Sequence, residues 1–447
     1  MSPDPQDAAR MLSALRPITA YGKVGKIVGL VAEGSGIKAP LGSLCHILPE
    51  SVRGDGLGNE QDDGAVPVEV VGFRDGNLLF MPYGDLRGVR PGSLVRNSSL
   101  PPIFPVGSNM LGHAFDAFGV PLDKNSCPPL PDAAPLYADP PPPLLRPRIS
   151  DPLDVGVRAI NSLLTLGKGQ RVGIMSGSGV GKSTLMGMMA RYTRADVNVI
   201  ALVGERGREV LEFMEKDLGA EGMARSVLIV ATSDQSALIR MRAAHAATAV
   251  AEYYRDQGKD VLLMMDSITR FAMAAREIGL AVGEPPTTKG YTPSVFAQLP
   301  KLLERAGRNE RGSITGIYTV LVDGDDFNEP VADAARSILD GHIVLTRELA
   351  DQGHFPAIDV LRSVSRLRTD VCPQDAMENG RVVISRLATF KRVEDMVNIG
   401  AYAPGSNPDI DKAISALPLI NAFLRQNIED RHSLQDSLTQ LSLLARS

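Results

Sequence analysis

The 447-residue chain contains no tryptophan, aromatic residues make up only 5% of it, and it has three cysteines and six histidines. Few aromatics means few platforms on which nucleic-acid bases could stack. Cys45, Cys127 and Cys372 are scattered without CxxC spacing, and the histidines are equally dispersed. That excludes a disulfide framework and a structural zinc site, and a reducing cytosol is expected. Long apolar runs are missing too: the densest, Val261–Met265 and Val227–Ala231, are far short of the ~20 residues needed to span a bilayer. Met1-Ser2-Pro3-Asp4-Pro5 has neither the basic start nor the apolar core of a secretory signal. Charge is nearly balanced, 47 Lys plus Arg against 52 Asp plus Glu, net −5. This excludes a chain that coats nucleic acid and leaves room only for a local basic patch. The expectation is a soluble protein, long enough for about three domains.

Composition divides the chain. Residues 128–147 hold nine prolines, including the run Pro140–Pro143. Such a stretch is neither helix nor central strand, and reads as an extended connection placed within 101–150. Before it, over 21–100, the short apolar segments Val24–Val31, Val66–Phe73 and Leu78–Met81 are separated by Gly, Asp and Pro clusters, the pattern of a small all-β barrel or sandwich. From 151 to 372, the β-branched runs Arg171–Met175, Val197–Val203, Val227–Ala231, Val261–Met265 and Ile314–Leu321 alternate with segments of helical period. That predicts an α/β domain with a parallel sheet covered on both faces. Residues 373–447 turn helical: Leu434, Leu438, Leu441 and Leu444 form one apolar stripe after a Ser433 cap. Within the first 20 residues, Ala8, Met11, Leu12 and Leu15 make a similar stripe. It belongs either to a short helix packed on its own domain or to a docking helix.

The strongest chemical signal is Ser176-Gly177-Ser178-Gly179-Val180-Gly181-Lys182-Ser183-Thr184, directly after the run Arg171–Met175 and before the helix-like Leu185–Tyr192. Strand, glycine loop, Lys-Ser/Thr and helix make a P-loop. Gly177 to Thr184 are expected to cradle phosphate with backbone N–H groups. Lys182 reaches the β/γ-phosphates, and Ser183 ligates Mg²⁺. Ser176 stands where the GxxxxGK[ST] pattern has its first glycine. Val261–Met265 followed by Asp266 is an apolar strand ending in a carboxylate suited to the metal. Gly204-Glu205-Arg206-Gly207-Arg208-Glu209 follows another strand, so that Glu205 is placed to polarise the attacking water and Arg206 and Glu209 to hold phosphate or metal-bound water. The bland alternative for this last group is an ion-pair cluster on the surface of a helix start.

Phosphate loop, Gly-Glu-Arg-Gly-Arg-Glu, residues 263–270, residues 290–300 and Pro-Ala-Ile-Asp-Val-Leu-Arg-Ser-Val-Ser-Arg at 356–366 occur in this order. Together they resemble the family of the rotary ATP synthase α and β subunits. Residues 283–291 and 338–345 are more similar to its type III secretion ATPases, the flagellar export type above all. The resemblance implies a RecA-like core between a small N-terminal β-barrel and a C-terminal helical domain. Glu205 matches a catalytic carboxylate that the non-catalytic α subunits lack. Arg206, Glu209, Asp266 and Arg270 match residues around the γ-phosphate and Mg²⁺. Arg366 matches an arginine finger given to a neighbouring subunit's nucleotide, a device worth ~10³–10⁵ in rate.

By the same resemblance the expected function is Mg²⁺-ATP hydrolysis in a homohexameric ring that energises flagellar type III export. Its cytoplasmic chains would be held peripherally at the inner-membrane secretion apparatus. The implied partners are a stator-like regulator at the N-terminal segment 1–20, a coiled-coil central stalk, the membrane proteins of the export gate, and chaperone–substrate complexes; no nucleic acid is expected. A virulence-type injectisome ATPase is the nearest alternative. A rotary synthase catalytic subunit is disfavoured by 283–291 and 338–345, and an RNA-translocating ring by the lack of a basic-aromatic stripe in the β domain.

Overall fold

The computed structural model describes residues 20–49, 64–98, 102–122, 129–322 and 329–447. It falls into two compact units. The first contains the described residues up to Pro102 together with Glu277–Glu284; the second comprises Ile103–Arg276 and Pro285–Ser447. The N-terminal stripe of Ala8 to Leu15 and Cys127 lie outside the described residues.

The first unit is a closed six-stranded barrel. Its strands β1 (Tyr21–Val28), β2 (Val31–Ser35), β3 (Leu44–Leu48), β4 (Val66–Arg74), β5 (Asn77–Pro82) and β6 (Leu94–Asn97) join in the order β1-β2-β5-β4-β3-β6. Closure comes from β1 against β6, with Gly22 opposite Val95. The expected single segment Val24–Val31 is two strands, because Gly29 at φ +59° turns the chain and places Val28 opposite Val31. Inward residues Val24, Ala32, Cys45, Ile47, Val68, Val70, Phe80 and Val95 fill the barrel. Burial there pushes the Cys45 thiol up to about 11, so it packs as a small apolar group. Glu33, also buried, is compensated by Lys26 at 3.1 Å and Arg74 at 3.2 Å.

The connection expected over 101–150 belongs largely to the second unit. There β7 (Ile103–Val106), β8 (Ala114–Phe115) and β9 (Asp132–Pro135) are regular strands, with β7 and β9 forming an antiparallel ribbon. Proline is tolerated in such a ribbon, which is edge on both sides. Phe104, Val106, Phe115 and Leu136 are fully buried. Arg242 ties the segment down by donating from Nε to the Ala117 carbonyl at 3.0 Å. The prolines describe backbone stiffness, while the interleaved apolar residues decide that the segment packs.

After the short pair β10 (Pro152–Leu153) and β11 (Leu166–Gly167) come β12 (Arg171–Ser176), β13 (Val197–Glu205), β14 (Ser226–Thr232), β15 (Asp260–Asp266), β16 (Gly307–Arg308), β17 (Ser313–Leu321), β18 (Gly341–Leu345) and β19 (Ile358–Ser365). A nine-stranded sheet runs β19-β18-β12-β17-β15-β13-β14-β8, with β16 pairing beside β17. From β18 to β8 every neighbour is parallel, whereas β19 runs antiparallel to β18. The strands read as unbroken apolar runs because both faces are covered. Val199, Ala201, Val203, Leu263 and Met265 enter one core, and the alternating Ile200, Leu202, Leu262 and Met264 enter the other. Helix Ala237–Asp256 lays a stripe of small residues, Ala243, Ala244, Ala247 and Ala251, into the first core. The C-terminal helices Gln374–Asn398, Pro408–Leu424 and Leu434–Arg446 close the second, to which Leu441 and Leu444 belong. The Ser433 hydroxyl accepts the Asp436 N–H at 3.1 Å, as the cap reading expects.

Candidate active site

Parallel strands deliver their carboxyl ends to one edge of the sheet, where open α/β sheets bind ligands. At that edge Ser176 ends β12, and the loop Gly177–Gly181 leads into helix Lys182–Tyr192. Gly179 at φ +78° and Gly181 at φ +91° hold left-handed conformations that only glycine adopts cheaply, so the loop can fold its amides inward. Lys182, Ser183 and Thr184 form the first helical turn, whose backbone N–H groups have no partner within the helix. Opposite the loop, Arg347 donates from Nη2 to the Ser178 carbonyl at 3.1 Å.

Lys182 bends back from this turn over the sheet edge. Its Nζ lies 2.5 Å from Asp266 Oδ1, at the end of β15, and 3.6 Å from Glu205 Oε1, at the end of β13. The two carboxylates come together because β13 and β15 are direct neighbours, with Leu202 opposite Asp266. Thr319 on β17, the strand between β12 and β15, donates from Oγ1 to the same Asp266 Oδ1 at 2.7 Å. Burial opposes the charge on Lys182, but Asp266 and Glu205 outweigh it and hold the ammonium above its ordinary range. For Glu205, burial and then the negative charge of Asp266 push the carboxyl up to about 7 against the opposing pull of Lys182. A carboxyl poised near neutrality beside a phosphate loop suits the handling of a water proton.

Arg206 and Glu209 form an exposed ion pair at 3.1 Å at the start of helix Gly207–Glu212, as the bland reading of this motif supposes. Glu209 also hydrogen-bonds the Glu205 carboxyl and helps to raise it, so the pair borders the site as well. Arg270 packs its methylenes against Gly204, where a Cβ would sit 3.0 Å from the Arg270 Cβ. Its buried Nε has no hydrogen-bond partner among the described residues.

Arg366 stands apart. Ser176 at the end of β12 pairs with Leu345 at the end of β18, and Leu345 pairs with Ile358 at the start of antiparallel β19. Ser365, at the other end of β19, therefore pairs with Gly341 at the amino edge. Four residues of strand, about 13 Å, separate the two levels. Arg366 there donates to the Arg336 carbonyl at 3.1 Å. This chain's own phosphate loop is beyond its reach.

Three residues that sequence reasoning missed border the site. Thr319 and Arg347 contact it across strands and helices far apart in sequence. Phe355, three residues before the start of β19, is 47% exposed, and its ring would meet a Cβ at Gly181 at 3.7 Å. An aromatic one residue before the quoted motif 356–366 was the only signal available for it.

A phosphate loop on a parallel sheet, with lysine, paired carboxylates and a buttressing threonine converging at its carboxyl edge, defines a P-loop ATPase. Residues 156–365 match the nucleotide-binding domain of the ATP synthase alpha/beta family, and residues 372–442 match the C-terminal domain of the type III secretion ATPase EscN. The chain is 52% identical to the flagellum-specific ATP synthase of Bacillus subtilis, over 95% of both chains, and 49% identical to that of Salmonella typhimurium, over 97% of this chain and 95% of the relative. It superposes with a TM-score of 0.87, at 44% identity, on the assembled EscN ATPase of the enteropathogenic Escherichia coli type III secretion system, covering 95% of this chain and all of that one. The same ATPase solved with its central stalk EscO gives 0.85. The chain belongs to the ATP synthase alpha/beta family, in its branch of flagellar and type III secretion ATPases.

Proposed function

We propose that the chain hydrolyses Mg²⁺-ATP in a homohexameric ring and thereby energises flagellar type III protein export. The observation that carries the ring is the split of the catalytic set: Lys182, Asp266 and Glu205 meet at one edge of the sheet, and Arg366 is presented at the other. Nucleotide and finger meet only when the amino edge of one copy faces the carboxyl edge of the next, a heterologous contact that closes by rotation. The assembled EscN relative supports this reading, and its complex with EscO supports a central stalk as a partner. The flagellar relatives at 52% and 49% identity favour flagellar export over an injectisome. Export gate, chaperone–substrate complexes and a regulator acting on residues 1–20 are the further partners of this reading, with the ring held peripherally at the inner membrane. No helix among the described residues is long and apolar enough to cross a membrane.

The residues present fit a magnesium ion. Ser183 and Asp266 offer hard oxygens, and the described residues contain no cage of three or more acidic, histidine or cysteine ligands. Magnesium typically takes one or two protein oxygens and completes its shell with phosphate and water. When bound, it would neutralise charge on the β- and γ-phosphates. The chain's own groups do the rest. Gly177 to Thr184 hold the phosphates by backbone amides, and Lys182 moves from the Asp266 carboxylate onto the γ-phosphate. Glu205, relieved of that lysine, orients water in line. Arg206, Glu209 and Arg270 frame the γ-phosphate, Phe355 gives the adenine a face to stack on, and Arg366 of the neighbouring copy stabilises the charge on the transferred group.

The test is ATPase rate against protein concentration, with an equimolar mixture of Glu205→Gln and Arg366→Ala alongside. In random rings about a quarter of the interfaces regain both an intact carboxylate and an intact finger, so the mixture should recover about a quarter of wild-type turnover. A concentration-independent rate with no rescue would overturn the shared site.

A further inference from the structure

The proline run Pro140–Pro143 and the residues after it form a stiff strut on the surface of the second unit. Pro142, at φ −56° and ψ 137°, is polyproline II, a backbone that needs no hydrogen bonds of its own. Arg146 pins the strut. It pairs with Glu304 at 3.1 Å, and donates from Nη2 to the Glu304 carbonyl at 2.6 Å and from Nε to the Pro141 carbonyl at 3.1 Å. Between Pro142 and this anchor, Leu144 is 99% exposed and Leu145 61%. Leucines held out in water by a rigid backbone lose little conformational entropy on docking. Arg148, just beyond them, is also exposed and belongs to no ion pair among the described residues. The strut runs along the amino edge of the sheet. There Arg148 shares a surface cleft with Arg171 at the start of β12, with Asp340 before β18, and with Leu367, the residue after Arg366.

The carboxyl edge carries a matching surface of opposite charge. Beyond Glu205, helix Gly207–Glu212 continues through Phe213–Leu218. Leu211 on it is 55% exposed. Glu215, four residues on and therefore on the same face, is exposed and outside every ion pair among the described residues. One edge thus presents leucines beside an unpaired arginine, and the other presents a leucine beside an unpaired glutamate. We propose that Leu144 and Leu145 of one copy pack on Leu211 of the next, with Arg148 facing Glu215, and that this contact sets the orientation in which Arg366 reaches its neighbour's nucleotide. The contact rests on the ring reading, which brings these two edges together. It goes beyond that reading in giving the proline strut a role and in naming the face that receives it.

The experiment follows assembly of the full chain by sedimentation velocity with Mg²⁺ and AMP-PNP, and ATPase rate per chain against protein concentration. Leu144→Asp should move the midpoint of both curves about tenfold higher, since it removes the burial of one leucine at each interface. Arg148→Glu and Glu215→Arg should each move it about threefold, the scale of a rim ion pair, and the double variant should return to within about twofold of wild type because the reversed charges pair again. Circular dichroism and nucleotide binding at low concentration confirm that each variant is folded. A wild type that assembles while Leu144→Asp assembles equally well overturns the contact. A double variant no better than the two single ones overturns the pairing of Arg148 with Glu215. A wild type that stays monomeric, with a rate per chain independent of concentration, would refute the ring reading itself and the contact with it.

Discussion

Glu205 turns pH into a measurable load on the fold. Its carboxyl is raised from 4.5 to about 7 in the folded chain, chiefly by burial and then by Asp266. The folded state therefore holds a proton that the unfolded state has lost over roughly pH 4.5 to 7. Stability from this group is fully present below pH 4.5 and is lost as pH rises through 7. Between pH 5 and pH 8 the loss integrates to about 2.5 kcal/mol at 1.36 kcal/mol per unit. Glu205→Gln removes the titration and keeps the shape. Urea unfolding without nucleotide should show the variant gaining about 2.5 kcal/mol on wild type between pH 5 and pH 8. In the proposed mechanism the ionised carboxylate is the form that orients water, so wild-type kcat/KM should rise with pH up to about 7 and then level. Equal pH dependence of stability in the two proteins, or an activity flat from pH 6 to 8, would refute the placement of Glu205 between burial and Asp266.

Thr319→Val deletes the 2.7 Å bond to Asp266 while conserving volume, and should weaken Mg²⁺-ATP binding about fivefold, at roughly 1 kcal/mol per hydrogen bond, read by calorimetry. Phe355→Ala should raise KM for ATP by about tenfold, since stacking a base on an aromatic contributes ~1–3 kcal/mol, with kcat within about twofold of wild type in steady-state kinetics. Leu263→Ala, at a fully buried position in β15, should cost about 2–5 kcal/mol in urea unfolding, because the sheet is packed on both faces and cannot collapse onto the space.

Much of this chain was legible as local pattern. The glycine loop before Lys182, the carboxylates ending apolar runs at Glu205 and Asp266, and the Ser433 cap are short-range signals whose backbone meaning does not depend on the rest of the molecule. Strand positions in the core were equally readable, since a strand buried on both faces leaves an unbroken apolar run. What the sequence could not say is which strands lie side by side. Only the sheet order sets β17 between β12 and β15, bringing Thr319 onto Asp266, and only the antiparallel entry of β19 puts Phe355 at the phosphate loop and Arg366 at the opposite edge. The proline-rich stretch shows the same division: proline reports the extended conformation a segment adopts, whereas only the tertiary structure pairs Asp132–Pro135 with Ile103–Val106 and buries Leu136. Strand order, direction and packing are long-range properties, chosen by the summed burial of faces that are not neighbours in sequence, and so they exist only in the tertiary structure.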